Sequence, residues 1–293
     1  MPELPEVETV RIGLQQFLPG LVVKSVEFDW PKGFDNPKKL VDTKLIDARV
    51  DRVDRRGKVI IIPLSSDYSL LIHLKMTGQL VYVGENMRFG AGHPNDSLLS
   101  KLPDRSTRVT IIFTSGAKLY FNDQRKFGWV KLEKTEGLYE NNPFLSKLGP
   151  EPLDESYTFK QFKLAVQKRA GTSIKAAILD QTVLAGVGNI YADEGLFAAR
   201  IHPATKVVDI STIKLKRLYT ALREVMRLSI QLGGSSDRNY VDAEGKKGSY
   251  LKFAKVFRLE GQPCPGCGRP IAKIRVAGRG THICTHCQKL PKK

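Results

Sequence analysis

Cysteine is scarce and confined. The chain of 293 residues has four, all within its last thirty positions. That excludes a disulfide-stapled scaffold and, in a long chain, points to a metal. Long apolar runs are missing too. No stretch approaches the roughly 18 consecutive apolar residues of a membrane span. The first residues lack a basic region followed by an apolar stretch, so no secretory signal is read there. A cytoplasmic location is expected. Acidic residues are in deficit, with 30 Asp and Glu against 47 Lys and Arg, a formal charge of +17 and a pI near 9.7.

What is present fits a folded protein: 41% hydrophobic and 26% charged residues, enough chain for two modest domains with their own cores. The positive excess calls for a polyanion, either nucleic acid or an anionic membrane surface. From Val241 to Lys293 there are twelve Lys and Arg against three acids. That segment has no amphipathic helix suited to a membrane, so nucleic acid is the expected partner and a membrane is not.

Between residues 21 and 133 the chain reads as short strands: VVKSVEF, LIDARVDRV, KVIIIPL, YSLLIHLKM, QLVYV, RVTIIF, AKLYF and GWVKL. They are rich in β-branched and aromatic residues and are separated by turn signals such as Arg56-Gly57 and Ser115-Gly116. Many short strands at close spacing predict a sandwich or barrel. The polar stretch from Glu85 to Asp104 reads as an exposed loop and a candidate insertion. Three prolines and two glycines in 134–153 suggest a linker. Helical periodicity follows in TFKQFKLAVQKR, TSIKAAILDQTVL, NIYADEGLFAA and TIKLKRLYTALREVMRLSIQL. The expected organisation is a β-sandwich domain over 1–133, a linker over 134–153, a helical domain over 154–240, and a loop plus metal finger over 241–293.

Three motifs carry chemistry. Cys264, Cys267, Cys284 and Cys287 form two C-x2-C pairs separated by sixteen residues, the spacing of a tetrahedral four-sulfur zinc site. PIAKIRV and GRGTHI between them fit a hairpin turning at Ala277-Gly278, with Arg279 at its tip in reach of a phosphate or groove. His286 is expected to face solvent.

In LAGVGNIYADEGLFAARIHP, Gly186 and Gly188 break two helical patterns. Asn189 then stands where an N-cap belongs. A helix N-terminus behind a glycine turn suits a phosphate, and Lys175 on the preceding helix is a candidate to join it.

The start, MPELPEVETV, has two readings. Proline in a first turn with acids nearby is ordinary helix capping. Alternatively, removal of Met1 leaves Pro2 with a secondary amine beside Glu3. An α-amino group titrates at about 7.7–8.0, so a usable fraction is unprotonated near neutrality and can attack a sugar carbon.

Together MPELPEVETV, LAGVGNIYADEGLFAARIHP and GQPCPGCGRPI…GRGTHICTHCQ resemble the bacterial formamidopyrimidine-DNA glycosylases, nearly end to end. Leu4 favours the purine-damage branch over the endonuclease VIII branch. The resemblance implies an α+β multidomain fold: an N-terminal β-sandwich with flanking helices, a helix–two-turn–helix domain and a zinc finger, with DNA across the cleft. It implies a base-excision repair enzyme acting on oxidised purines in duplex DNA, with abasic-site lyase activity. One structural zinc, no organic cofactor and a monomer are expected.

By the same resemblance Pro2 is the nucleophile at C1′ and Glu3 its acid/base partner. Glu6 is a further acidic site residue and Lys58 a lysine near the damaged nucleotide. Met76, Arg125 and Phe127 are the void-filling residues, and His73, Lys175, Asn189 and Arg279 contact phosphates. GGSSDRNYVDAEGKKGSY occupies the base-recognition loop. The segment PDRSTRV lacks the histidine expected near that point. Two other readings stay open: a same-fold enzyme for oxidised pyrimidines or abasic sites, and a non-enzymatic damage binder.

Overall fold

The protein, seen here in a computed structural model, is described over residues 1–93, 95–235 and 249–291. It divides into two compact units, Met1–Ser146 with Leu232–Ser249, and Lys147–Gln231 with Tyr250–Lys293.

The first unit opens with helix α1 (Leu4–Gln15). Glu3 is its N-cap and makes a reciprocal capping box with Glu6, whose Oε2 accepts from the Glu3 N–H at 2.9 Å. Leu4, Val7, Val10 and Leu14 form the buried stripe. Nine strands follow: β1 (Val23–Phe28), β2 (Asp54–Arg56), β3 (Val59–Pro63), β4 (Tyr68–His73), β5 (Gly78–Val83), β6 (Arg88–Gly92), β7 (Thr107–Phe113), β8 (Lys118–Asp123) and β9 (Trp129–Lys134). A short helix α2 (Lys38–Lys44) lies between β1 and β2.

The strands make two antiparallel sheets, ordered β1-β7-β8-β5-β6 and β2-β3-β4-β9. One apolar core joins them to α1, through Val7, Leu14, Ile60, Ile72, Leu80 and Phe121 among others. This is the expected sandwich.

Two local expectations are corrected. The stretch 85–104 is not an exposed loop: it contains β6, paired along β5. Phe89 lies so tightly against Gly13 of α1 that a Cβ there would meet the ring at 2.0 Å. Leu98 packs with Val81 and Tyr120, and Arg88 donates to the carbonyls of Ser97, Leu98 and Ser100. RFGAG reads as loop because its glycines mask a strand whose burial comes from the helix above it. LIDARVDRV, read as a strand, makes only bridges at Arg49 and Val50 before β2 begins.

The stretch 134–153 is folded, with helix α3 (Leu138–Asn141) and buried Leu138 and Leu145.

In the second unit α4 (Phe159–Gln167) carries a Thr158–Gln161 capping box, and Ser173 caps α5 (Ile174–Leu179). Helix α6 (Asn189–Ala198) packs on α7 (Thr212–Gln231), where Gly195 lets Leu222 approach. Strands β10 (Ala272–Val276) and β11 (Arg279–Ile283) form the expected hairpin. Its turn residues Ala277 and Gly278 both have positive φ, 51° and 73°, as a tight two-residue turn requires.

Candidate functional site

The start of α1 gathers the first group. Pro2, Glu3 and Glu6 are buried, Glu3 at 4% exposure. The second oxygen of Glu6 accepts from the Ser235 N–H at 2.9 Å, so this carboxylate joins α1 to the chain entering 236–248. One turn on, Glu8 takes Arg11 and Arg55 at 2.8 Å each, and its carboxyl is held below the usual range by these cations against the opposing cost of burial. Arg55 lies in β2 and also donates to the Gly57 carbonyl. The Glu8–Arg55 pair thus fastens α1 to the β2–β3 hairpin whose turn carries the buried Lys58. Pro2, Glu3, Glu6 and Lys58 are thereby held on neighbouring parts of one unit.

Lys58 precedes Val59, which pairs with His73 at the end of β4. His73 is buried between Trp129 and Phe144, with ring centroids 5.6 Å away in both cases. Burial, then the charges of Lys75 and Lys58, push its pKa down to about 3. Its Nδ1 accepts from the Lys75 N–H at 3.0 Å, so the neutral ring carries its proton on Nε2 and is a hydrogen-bond donor there.

Beyond His73 the β4–β5 turn presents Met76, and the β8–β9 turn presents Arg125 and Phe127. Met76 is 38% exposed and Phe127 52%, so both apolar side chains are open to solvent at these turns. The Arg125 guanidinium lies over the Phe127 ring at 4.8 Å.

The second unit holds the other polar cluster. Gly186, at φ 89°, turns the chain into α6. The N-cap is Gly188 rather than Asn189, which is the first helical residue. A glycine there leaves the helix end open, and the Asn189 amide instead donates to the Gly280 carbonyl at 3.0 Å. This brings exposed Arg279 beside the α6 N-terminus, 90 positions away in sequence.

Lys175 corrects its expectation. It is fully buried, with Nζ 2.6 Å from Asp193 Oδ1 and 2.7 Å from Thr281 Oγ1. A lysine with those partners does not reach an external phosphate; it holds β11 against α5 and α6. The other Asp193 oxygen accepts from the His282 N–H at 2.9 Å. Glu194 accepts from the N–H groups of Lys255, Val256 and Phe257 at 2.8–2.9 Å.

The four cysteine sulfurs lie within 4.8 Å of one another, with Cys264–Cys287 at 3.9 Å and Cys267–Cys284 at 3.4 Å. Tetrahedral zinc with bonds of about 2.3 Å needs sulfurs ~3.8 Å apart, so the donor set fits. The N–H groups of Gly266 and Cys287 point at Cys264 and Cys284 sulfurs, as they do toward metal-bound thiolates. His286 is exposed and outside the group, as expected.

Three family models match in series: the formamidopyrimidine-DNA glycosylase N-terminal domain over residues 1–130, its H2TH domain over 148–240, and the zinc finger found in FPG and IleRS over 261–290. The chain belongs to the formamidopyrimidine-DNA glycosylase family. The glycosylase of Pelotomaculum thermopropionicum is 41% identical, over 99% of this chain and all of that one. That of Listeria innocua is 38% identical, over 99% and 100%. Among solved structures, a Lactococcus lactis enzyme in complex with Fapy-dG-containing DNA superposes with a TM-score of 0.86 at 34% identity, covering 98% of this chain and 100% of that one. Thermus thermophilus MutM gives 0.83 at 37%, covering 99% and 100%.

Membership makes this chain a base-excision repair DNA glycosylase with abasic-site lyase activity and one structural zinc, for which Cys264, Cys267, Cys284 and Cys287 are positioned as the four ligands. None of the helices in the described residues is long and apolar enough to cross a membrane. The segment expected to form the base-recognition loop falls largely on 236–248, outside the described residues.

Two residues escaped the sequence reading. His93 follows β6, and burial, then the N-terminal ammonium, lower its pKa while Asp123 opposes. A histidine thus stands within electrostatic reach of the N-terminus although PDRSTRV supplies none. Asp123 itself is wholly buried. The only sequence signal for either was a polar residue at a strand end.

Proposed function

We propose that this glycosylase excises oxidised purines, 8-oxoguanine and formamidopyrimidines, through an imine on Pro2. With Met1 removed, the Pro2 nitrogen attacks C1′ of the extruded nucleotide and the base departs with the C1′–N bond electrons. Glu3 protonates the ring oxygen as the sugar opens, leaving an iminium. Loss of a C2′ proton expels the 3′ phosphate, and a second elimination expels the 5′ phosphate. Lys58 supplies positive charge beside the departing groups, and Glu6 holds Glu3 through its backbone N–H.

The supporting observation is the fastening of α1 to the β2–β3 hairpin through Glu8 and Arg55, which keeps Pro2, Glu3 and Lys58 in one unit. Met76, Arg125 and Phe127 fill the space left by extrusion: apolar side chains wedge between bases and the guanidinium hydrogen-bonds the orphaned partner. The α6 N-terminus with Asn189 and Arg279 takes backbone phosphates, and the His73 Nε2–H another.

The test is borohydride trapping on an 8-oxoguanine·cytosine duplex, followed by peptide mass spectrometry. The expected adduct is a reduced cross-link on a peptide beginning at Pro2. A zinc-loaded protein verified to lack Met1 that gives no cross-link would overturn the mechanism, and trapping on an oxidised-pyrimidine duplex alone would move the substrate to that class.

A further inference from the structure

The two turns that expose Met76 and Phe127 are far apart in sequence but share one carboxylate. Asp123 ends β8 and pairs with Gly78 at the start of β5, so it sits between the β4–β5 and β8–β9 turns. Its side chain is wholly buried and accepts four hydrogen bonds. Oδ1 takes the Thr77 hydroxyl, next to Met76, and the Arg125 N–H at 3.2 Å. Oδ2 takes the Phe127 N–H at 2.8 Å and the Gly128 N–H at 2.7 Å. The Thr77 hydroxyl also accepts from the Arg125 N–H at 3.1 Å, closing a ring that spans both turns. The backbone of Asp123 is held as well: its N–H donates to Ser106 at 2.7 Å, and its carbonyl accepts from Arg108 Nε at 2.9 Å.

The β8–β9 turn needs such a hold. Lys126 lies at φ 55°, in the left-handed region that non-glycine residues avoid. Gly128 is closed in so tightly that a Cβ would meet Phe121 at 2.5 Å and the His73 carbonyl at 2.9 Å. Asp123 accepts from the N–H groups of 125, 127 and 128 together, while the side chains of Arg125 and Phe127 on the same turn are exposed.

We infer that Asp123, with Thr77, is a positioning residue that locks the Met76 turn to the Arg125–Phe127 turn, so that the three side chains enter the duplex as one preformed wedge. This rests on the reading of those three as void fillers. A preformed wedge lowers the entropic cost of insertion, so Asp123 acts on base extrusion and on discrimination of the orphaned base. It does not act on the chemistry at C1′.

Asn at 123 has one acceptor oxygen where Asp has two. Asp123→Asn can therefore satisfy one turn and presents an NH2 to the other. Thr77→Val keeps the shape and removes the hydroxyl link. The experiment compares single-turnover excision on an 8-oxoguanine·cytosine duplex with strand cleavage of a single-stranded abasic oligonucleotide, which has no stack to open. Both variants are expected to lose tenfold or more on the duplex and less than twofold on the single strand. The preference for cytosine over adenine opposite the lesion should collapse, and 2-aminopurine beside the lesion should report slower unstacking. Equal losses on both substrates, or no loss on the duplex, would overturn the inference. Phe127→Ala and Arg125→Ala separate the two levels. If they leave the duplex rate intact, the wedge reading fails and the inference falls with it. If they slow the duplex alone while Asp123→Asn and Thr77→Val do not, the wedge stands and the lock is wrong.

Discussion

His73 shows how one buried side chain links stability to pH. Its folded pKa, about 3, lies below the ordinary value of 6.5 because burial and then the Lys75 and Lys58 charges disfavour the imidazolium. In the unfolded chain the ring protonates near 6.5. Between those values the unfolded state binds the extra proton, so stability rises with pH there. The contribution is fully present above pH 6.5 and is lost as pH falls toward 3. In urea melts from pH 7 to 4, His73→Gln is expected to flatten the acid limb by about 1.4 kcal/mol per pH unit. An unchanged limb would place the sensitivity in another group. The sequence presented His73 as one strand residue in YSLLIHLKM; its packing against Trp129 and Phe144 comes from β9 and from the chain after α3. Lys175 misled for the same reason. On a helix a lone lysine points to solvent or ligand, and nothing local to it announces Asp193 or Thr281.

At the level of elements, what could be read depended on where each element finds its partners. The cysteine hairpin is self-contained: ligands, turn and Arg279 lie within 24 residues, so spacing alone located metal, strands and tip. The apolar strands β3, β4, β5 and β7 were legible because they are nearly continuous apolar or β-branched runs. β6 was not, since its burial depends on Phe89 meeting Gly13 on α1. Helix α6 was legible, but its N-cap was not, since Asn189 gives its amide to Gly280 in the hairpin. The hairpin buries too little to fold unaided, so its stability is metal stability. Chelation of zinc is expected to release the hairpin and take the Thr281 hydroxyl away from the buried Lys175, whose Asp193 partner stays on α6. Hydrogen exchange after chelator treatment should show loss of protection at 264–288 and at the start of α6, with the β-sandwich unchanged. Retained protection in the hairpin would mean that packing, rather than metal, holds it.

Across the whole molecule the governing quantity is charge. A formal +17 attracts any polyanion, and that attraction carries no lesion information. Lesion selection has to come from groups whose contacts are not phosphates, and the two classes separate under salt. Arg279 is exposed, at a hairpin tip beside the α6 N-terminus, and reads as a phosphate ligand. Arg279→Ala is expected to weaken lesion and undamaged duplexes by the same factor. It should also reduce the slope of log Kobs against log salt by about 0.9, the release of one counterion. Phe127→Ala removes no charge. Its salt slope should match the parent, while the ratio of lesion to undamaged affinity shrinks. Fluorescence anisotropy on paired duplexes across a salt series measures both quantities in one titration set. An Arg279→Ala variant with an unchanged slope would remove that residue from the phosphate contacts. A Phe127→Ala variant with an unchanged affinity ratio would mean that lesion selection is made elsewhere, after binding.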